Sequence, residues 1–185
     1  MARRSRVVLI NGVSSAGKGS LARALQAITE TPFLHVQMDA FLEMLPAPMF
    51  GSREGYIFES ALEDGKPVTA IHTGPMMAML MRGMRRSVAA MAAEGADVIV
   101  DDVMWGDDFA DYQAVMAPFE FRAVGLKAPL EVIEERERRR GDRTLGLARW
   151  QYERVHQGVD YDLVIDNSAA TPEACAARIK DAFGL

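Results

Sequence analysis

The stretch Gly12-Val13-Ser14-Ser15-Ala16-Gly17-Lys18 decides how this chain folds. It follows the apolar, β-branched run Val7–Ile10 and leads into the amphipathic segment Ser20–Leu25. A buried strand, a glycine-containing turn that ends in Gly-Lys, and a helix form a phosphate-binding P-loop when they occur in this order. Glycines let backbone N–H groups turn toward phosphate oxygens, and the positive end of the helix dipole faces the same point. We therefore predict that this segment binds a nucleotide.

The predicted phosphate site has one unusual position. Gly19 stands where a serine or threonine normally offers its hydroxyl group to magnesium, and Ser20 comes one residue later. One residue along a helix turns a side chain by roughly 100°, so Ser20 replaces that hydroxyl only if the loop shifts. An ordinary Gly/Ser turn is the alternative to a P-loop, but it does not explain Lys18, which would reach the outer phosphates. The residues expected to contact the nucleotide are Gly12, Val13, Ser14, Ser15, Ala16, Gly17, Lys18, Gly19 and Ser20.

Composition and charge limit the classes of protein to which the chain can belong. Its 185 residues suffice for one well-buried core, and 49% apolar with 25% charged residues is typical of a globular domain. A net charge of −5 argues against a general nucleic-acid-binding protein. Cys175, the only cysteine, excludes an intrachain disulfide and suits a reducing compartment. The chain has no signal-peptide pattern and no apolar run long enough to span a membrane. We expect one cytoplasmic domain, residues 1–185, without nucleic-acid or membrane partners.

Strand and helix patterns alternate along the chain. The predicted strands are Val7–Asn11, Phe33–Gln37, Val98–Val100, Phe121–Leu126 and Leu163–Ile165. The predicted helices are one that follows the P-loop and ends near Ile28, then Ala40–Leu45, Pro75–Glu94, Phe109–Met116, Pro129–Arg140, Leu145–Val155 and Pro172–Phe183. A continuous apolar run such as Val98–Val100 is typical of a strand buried on both faces of a parallel sheet. The alternation therefore predicts an α/β fold, with a parallel sheet and helices on both of its faces.

The stretch from residue 46 to 74 interrupts this alternation. It contains prolines, glycines and Glu63-Asp64-Gly65-Lys66, a pattern that predicts a turn between short strands near Tyr56–Glu59 and Thr69–His72. It is long for a connection, so we expect a functional insertion that lines an acceptor site together with the Pro75 helix. Six methionines crowd that helix: Met76, Met77, Met79, Met81, Met84 and Met91. They either belong to the core, as helical spacing indicates, or give an acceptor pocket an adaptable apolar wall.

Three aspartates follow predicted strands, at the edge of the sheet where α/β proteins bind their ligands. Asp101 and Asp102 come after an apolar strand, and one or both can hold magnesium, unless one only caps a turn. Asp39 has two roles open to it. It can accept a proton from a substrate hydroxyl or orient that hydroxyl toward the γ-phosphate, or it can cap the helix Ala40–Leu45. Trp105, just past the aspartate pair, is placed to line an acceptor site or to pack beneath a lid.

An arginine-rich segment predicts a lid over about residues 136–149. Planar guanidinium groups stabilise the charge that spreads over phosphoryl oxygens during transfer, and a mobile lid excludes water. Glu134 and Glu135 lie four residues before Arg138 and Arg139, so these side chains are expected to form surface ion pairs. The remaining arginines lack such partners and are the lid candidates: Arg136, Arg140 and Arg143.

Five stretches, which span nearly the whole chain in order, match one known pattern. They are Ile10–Lys18, Met38–Pro46, Val98–Val103, Arg140–Arg143 and Val155–Asp162. On these stretches the chain resembles the chloramphenicol phosphotransferase family, P-loop NTPase-fold kinases that are related to shikimate and nucleotide kinases. His156 lies in the last of these stretches, where we expect a structural role for it rather than a catalytic one.

The resemblance implies ATP-dependent phosphorylation of a hydroxyl group on a small molecule, with ATP and Mg²⁺ as cofactors. It implies that Asp39 is the catalytic base, that Lys18 binds the β- and γ-phosphates, and that the three lid candidates act in catalysis. Magnesium would find its ligands among waters, Ser20 and the aspartates. Gly19 motivates a different hypothesis, a nucleotide-binding regulatory or interaction protein that has lost phosphoryl transfer. The acceptor stays open, because chloramphenicol and another hydroxylated metabolite fit the sequence equally well.

Overall fold

The computed structural model describes residues 3–185, so the first two residues of the predicted domain lie outside the described part. The strands are β1 (Arg6–Asn11), β2 (Phe33–Gln37), β3 (Tyr56–Glu63), β4 (Lys66–Thr73), β5 (Asp97–Asp102), β6 (Glu120–Lys127) and β7 (Leu163–Asp166). The helices are α1 (Lys18–Ile28), α2 (Met38–Leu42), α3 (Pro75–Ala93), α4 (Asp108–Met116), α5 (Leu130–Arg140), α6 (Leu147–Tyr152) and α7 (Pro172–Phe183), with a short 3₁₀ turn at Ala47–Met49.

Five of the strands form one parallel sheet in the order β2-β5-β1-β6-β7. Asn11 pairs with Asp102 on one side and with Gly125 on the other, while Gln37 pairs with Asp101. Because parallel strands end at the same edge, the P-loop, the end of β2 and the end of β5 meet there. The predicted parallel α/β sheet is confirmed.

Apolar side chains of the sheet pack into a separate core on each face. Val8 and Ile10 lie in the core that contains residues of α1 and α7. Val7 and Leu9 lie in the opposite core, with residues of α3 and α4. Successive residues of a strand point to opposite faces, so a strand covered on both sides reads as a continuous apolar run. Of the helices within residues 3–185, none has the length and apolar character needed to cross a membrane.

Two element boundaries differ from the prediction in ways that affect the site. Strand β5 continues through Asp101 and Asp102, whose backbones pair with Ile10 and Asn11, so the aspartates lie within the strand rather than after it. A polar side chain does not end a strand whose neighbour continues to offer backbone partners. Helix α2 begins at Met38 after the cap residue Gln37, which puts Asp39 in the first turn and not at the cap.

The insertion contains a long β-hairpin, β3–β4, rather than two short strands. Its two-residue turn, Asp64-Gly65, has φ values of 50° and 73°, the left-handed conformation that suits the twist of an antiparallel pair. The backbone N–H of Thr69 donates to the carbonyl of Gly146 over 3.1 Å, and its Oγ1 donates to the carbonyl of Leu145 over 2.7 Å. The hairpin is therefore joined to the segment that follows α5.

Candidate active site

The P-loop is shaped by close backbone contacts and by left-handed residues. A Cβ at Gly12 would lie 2.7 Å from the carbonyl oxygen of Leu126, so no larger residue fits there. Gly17 has φ of 95°, a conformation that favours glycine. The side chain of Lys18 folds back over the loop, and its Nζ donates to the carbonyls of Gly12 and Val13 over 2.9 and 3.0 Å. The loop has the form that the sequence predicts for phosphate binding.

Polar atoms around the loop lack partners within the described residues. The hydroxyl of Ser15 and Nε of Arg143 are both buried there without a hydrogen bond. Burial lowers the pKa of Lys18, and the negative charges of Asp101 and Asp39 act against this effect. Buried donors of this kind gain most from an anionic partner, because an unsatisfied polar group costs about 1–3 kcal/mol. Phosphate groups supply such acceptors, so these residues fit a bound nucleotide.

A cavity of about 420 Å³ opens at this edge of the sheet, between the P-loop, β2, β5, the hairpin and the segment after α5. It brings together most of the predicted site residues: Ser14, Ser15, Gly17, Lys18, Gly19, Ser20, Asp39, Asp101, Arg140 and Arg143. The remaining predicted residues do not line it: Gly12, Val13, Ala16, Asp102 and Arg136. Gly12, Val13 and Ala16 still shape the loop, whereas Asp102 and Arg136 have other contacts.

Arg143 reaches the cavity because the chain turns back after α5. Its Nη2 lies 2.8 Å from Oδ2 of Asp39. The turn is held from inside by Glu137, a buried carboxylate that accepts hydrogen bonds from the backbone N–H groups of Gly146 (2.7 Å) and Ala148 (3.0 Å). Gly146 is the N-cap residue of α6 and Ala148 lies in its first turn, so the carboxylate satisfies N–H groups that the helix itself leaves unpaired.

Arg136 has a different position from the other two lid candidates. Its guanidinium group donates to the backbone carbonyl of Asn167 over 2.8 Å, to the side-chain oxygen of Asn167 over 3.1 Å and to the carbonyl of Ala16 over 3.4 Å. Asn167 Nδ2 also donates to Ala16 over 2.7 Å. Arg136 thus holds the β7–α7 loop against the back of the P-loop. Arg140 lines the cavity and pairs with Asp142 over 3.2 Å.

The surface ion pairs of α5 differ in part from the prediction. Glu135 pairs with both Arg138 (2.6 Å) and Arg139 (2.7 Å), whereas Glu134 contacts Arg149 of α6. The predicted Glu134–Arg138 pair is therefore wrong. Glu134 pairs with Arg149 of α6 instead of Arg138 of its own helix. The side chains of Glu134 and Arg149 are both less exposed than that of Arg138.

The two adjacent aspartates of β5 point to opposite faces of the sheet, as strand alternation requires. Asp101 faces the cavity, and its Oδ2 lies 2.7 Å from Nε2 of His35. Asp102 faces α4, where its Oδ2 accepts from the hydroxyl of Tyr112 over 2.8 Å and its Oδ1 from the N–H of Val103 over 2.7 Å. Burial raises the pKa of Asp102 to about 6. Asp101 is thus the member of the pair that could hold a metal ion at this site.

Magnesium would depend on few protein ligands here. Among residues 3–185 no group of three or more His, Cys, Asp or Glu side chains is arranged to hold a metal ion. A Cβ at Gly19 would lie 3.6 Å from Oδ2 of Asp101 and 3.5 Å from Nε2 of Gln37, so the missing hydroxyl belongs beside Asp101. Magnesium commonly binds through one or two carboxylates together with phosphates and water. Asp101, with Ser20 nearby on the cavity wall, fits that mode.

Part of the cavity wall is apolar or aromatic. This part comes from the hairpin, α2, α3 and the segment after β5: Leu42, Tyr56, Phe58, Ile71, Met77 and Trp105. Trp105 also packs edge to face against Trp150 of α6, with 5.9 Å between ring centroids. It therefore both lines the cavity and packs against α6. Of the six methionines only Met77 lines the cavity, while Met84 lies in the core and Met79 is exposed.

Three residues that hold other residues of the cavity in place escaped the sequence analysis. The side-chain Oε1 of Gln151 accepts from the N–H of Ser14 over 2.7 Å and so ties α6 to the P-loop. Glu137 holds the turn after α5, and His35 contacts Asp101. Strand alternation could have indicated His35, because His35 and Gln37 share the face of β2 that leads to the cavity. Nothing in the sequence indicates Glu137 or Gln151, whose partners are distant loops.

The fold and the loop define a class, the P-loop kinases. The Mycobacterium tuberculosis APS kinase CysC, solved with AMPPNP and APS, superposes with a TM-score of 0.69 at 17% identity over 100% of both chains. A sugar kinase from Janibacter superposes with a TM-score of 0.67 at 20% identity, over 97% of this chain and 95% of that one. These similarities concern the fold.

The sequence places the chain within that class. Residues 5–184 match the family described as chloramphenicol phosphotransferase-like protein. Two M. tuberculosis relatives, from strains CDC 1551 and H37Rv and provisionally named O-phosphotransferases, are 31% identical over 96% of this chain and 82% of their own. The chain belongs to the chloramphenicol phosphotransferase-like family, and the family and its relatives indicate a kinase-type phosphotransferase.

Proposed function

We propose that this protein transfers the γ-phosphoryl group of ATP to a hydroxyl group of a small molecule. The observation that carries the proposal is the convergence of Lys18, Asp39 and Arg143 on one cavity at the P-loop. Phosphoryl transfer requires three such groups. They are a cation that binds the phosphates, a carboxylate that binds the acceptor hydroxyl, and a second cation on a turn that closes over both reactants.

In the proposed reaction the P-loop N–H groups and Lys18 bind the phosphates. The acceptor oxygen forms a bond to the γ-phosphorus while the bond from that phosphorus to the bridging oxygen breaks, and ADP leaves. The proton of the acceptor hydroxyl passes to the carboxylate of Asp39, which orients the hydroxyl beforehand. Most of the rate enhancement comes from holding the two reactants in line and from fixed positive charge.

The lid arginines complete the site. Arg143 is paired with Asp39 through side chains that are 30% and 48% exposed, and an ion pair of this exposure contributes roughly 0–1 kcal/mol. A bound phosphate therefore competes for Arg143 at little cost, and this exchange frees Asp39 for the acceptor. Arg140, at the end of α5, lies on the same wall. Closing of the turn would also exclude water, which otherwise hydrolyses ATP.

Magnesium, when bound with ATP, would neutralise charge on the β- and γ-phosphates. Asp101 is the protein ligand that we propose for it, with Ser20 as a further candidate. His35 holds the carboxylate of Asp101 in place from the side of β2.

The acceptor that this cavity favours is a hydroxyl compound with an uncharged, apolar or aromatic body. The wall opposite the phosphate site carries Tyr56, Phe58 and Trp105, and these rings suit flat or apolar groups. The cations that line the cavity are Lys18 and Arg23 of α1 and the two lid arginines, and none of them belongs to the hairpin, α2 or α3. A charged acceptor would therefore lack a partner at the apolar end. The chloramphenicol of the family description is one compound of this kind.

The test is a screen of acceptors with ATP and Mg²⁺, read by mass spectrometry as the gain of one phosphoryl group. It should cover aromatic alcohols including chloramphenicol, polyols and sugars, and alcohols that carry carboxylate or phosphate groups. We expect products in the first class, their loss in Lys18→Ala and their retention in Lys66→Ala, since Lys66 lies at the exposed hairpin turn. ATP binding without any product would instead support the regulatory protein that Gly19 suggests.

A further inference from the structure

A second cavity, of about 310 Å³, lies behind the P-loop and is separate from the candidate active site. Its floor is apolar and consists of Val13, Ala128 and Ile133, with the ring of Tyr152 beside them. Its polar groups are Lys127, Glu153, His156 and Gln157. The volume lies at the lower end of the range for small-molecule sites. An apolar floor with a few polar groups is also usual for a ligand pocket.

The two cavities share a wall. Val13 faces the second cavity and Ser14 the first, and in the same way Tyr152 faces the second and Gln151 the first. The N–H of Ser14 donates to Oε1 of Gln151 over 2.7 Å, so the P-loop and α6 meet as one partition. A ligand in one cavity would therefore contact residues that are next in the chain to residues that line the other cavity.

The hydrogen bonds around His156 favour the tautomer of its ring that carries the proton on Nε2. Asn11 Nδ2 donates to the hydroxyl oxygen of Tyr161 over 2.6 Å. The hydroxyl proton then goes to His156 Nδ1 at 2.8 Å, because the carbonyl of Val155 is farther away at 3.4 Å and already accepts from Asn11 Nδ2 over 2.6 Å. Burial, together with the nearby Lys127, lowers the pKa of His156 to about 4, so the ring is neutral at pH 7. With Nδ1 as acceptor, the proton lies on Nε2.

The second cavity therefore presents three donor groups beside one carboxylate. Lys127 and Gln157 are exposed, and within residues 3–185 neither their side chains nor Nε2 of His156 forms a hydrogen bond to another side chain. The cation, the neutral N–H donor and the amide suit an anionic group of a ligand. The apolar floor beside them suits a flat apolar ring attached to that group. The carboxylate of Glu153 at the same cavity disfavours a multiply charged ligand and leaves room for one hydroxyl donor.

We propose that this second cavity binds a small aromatic carboxylate, with the carboxylate on Lys127 and His156 and the ring on the apolar floor. Through the shared partition, its occupancy changes the affinity of the P-loop for nucleotide. The coupling between this cavity and nucleotide rests on the proposed function, whereas the binding of the carboxylate does not. Coupling of this kind is reciprocal, so nucleotide changes the affinity for the carboxylate by the same factor.

Isothermal titration calorimetry on the full chain without nucleotide tests the binding. The probes are benzoate and 4-hydroxybenzoate, with benzamide as the matched neutral ring and inorganic phosphate as an anion without a ring. We expect the benzoates to bind and both controls to bind on the order of ten times more weakly or not at all, because charged hydrogen bonds and ring burial act together. Lys127→Gln should weaken benzoate binding by a similar factor, while the exposed Lys66→Gln leaves it unchanged.

Several results would overturn the proposal. Absence of benzoate binding to the folded wild-type chain is one, and equal binding of benzoate and benzamide is another. Unchanged affinity in Lys127→Gln, with circular dichroism like that of the wild type, would also refute it. A titration repeated with saturating AMPPNP separates the two cavities, since the proposal predicts a shifted but finite affinity. Complete competition would place benzoate in the first cavity and contradict the assignment. A failed acceptor screen would leave these binding results standing.

Discussion

Arg143 and Asp39, 104 positions apart in the chain, form an ion pair across the mouth of the phosphate site, with 2.8 Å between Nη2 and Oδ2. The pair joins the lid to the carboxylate that we propose as the base. Both side chains are partly exposed, so the pair is weak in free energy and can exchange for a pair between Arg143 and phosphate. The lid and the base are thus coupled through a contact that a substrate can break.

Replacement of Arg143 by alanine should affect turnover far more than stability. Loss of a positioned donor to the transferring group lowers kcat on the order of 10²- to 10³-fold. The free energy of unfolding should change by about 1 kcal/mol or less, because the ion pair is exposed. Arg138→Ala is the matched control, since within residues 3–185 Arg138 pairs with Glu135 alone and does not line the cavity. Steady-state kinetics and urea denaturation measure both quantities, and equal losses in the two variants would remove Arg143 from the proposed role.

Glu137 should prove essential for the shape of the lid. Glu137→Ala leaves the N–H groups of Gly146 and Ala148 without their acceptor, which costs roughly 2–4 kcal/mol of unfolding free energy. Amide exchange at these two positions should become faster. Glu135→Ala, which removes only surface pairs, should cost about 1 kcal/mol or less. Chemical denaturation and hydrogen exchange provide the comparison, and protected amides in Glu137→Ala would argue against this support.

Gly19→Ser should restore the hydroxyl that the loop lacks without disturbing the fold. The added Cβ would make ordinary contacts of 3.5 to 3.7 Å with Gln37, Asp101 and Arg23. Serine also has the higher helix propensity, so stability should rise by about 0.5 kcal/mol. We expect a lower magnesium concentration for half-maximal activity, by roughly five-fold for one gained ligand contact. A magnesium titration of both proteins measures this, and an unchanged or higher requirement would show that the loop obtains its metal contacts elsewhere.

Asp102 should make stability fall as the pH rises. Burial raises its pKa in the folded chain to about 6 from an ordinary value of 3.8, so its contribution is complete below about pH 4 and is lost as the pH rises through 6. Asp102→Asn removes this loss and keeps groups that can bond Val103 and Tyr112. Relative to wild type, the variant should gain about 2–4 kcal/mol between pH 4 and pH 8. Urea denaturation of both proteins at these pH values tests this, and a constant difference would contradict the raised pKa.

The parts of the structure that the sequence predicts well are those fixed by neighbouring residues. The order β1, P-loop, α1 follows from a local pattern of apolar residues and glycines, and the buried strands β5 and β6 read as continuous apolar runs. Parallel pairing then brings strand ends to one edge, where Lys18, Asp39 and Asp101 line the same cavity.

The parts that escape prediction depend on contacts between distant segments. Arg136 and Arg140 look alike in sequence, yet Asn167 of the β7–α7 loop binds only the first of them. Asp101 and Asp102 also look alike, and they face opposite sides of the sheet because β5 continues through both of them, which depends on pairing with β1. Distant partners of this kind leave no local pattern in the chain.

The most direct test of the account follows the γ-phosphoryl group itself. ATP that carries ¹⁸O in its γ-phosphoryl oxygens is incubated with the protein, Mg²⁺ and an acceptor from the screen, and the products are analysed by mass spectrometry. The account predicts the labelled phosphoryl group on the acceptor, with loss of this product in Asp39→Asn and retention in Asp181→Asn, an exposed aspartate of α7. Label found only in inorganic phosphate, or in ATP that remains bound and unchanged, would contradict it.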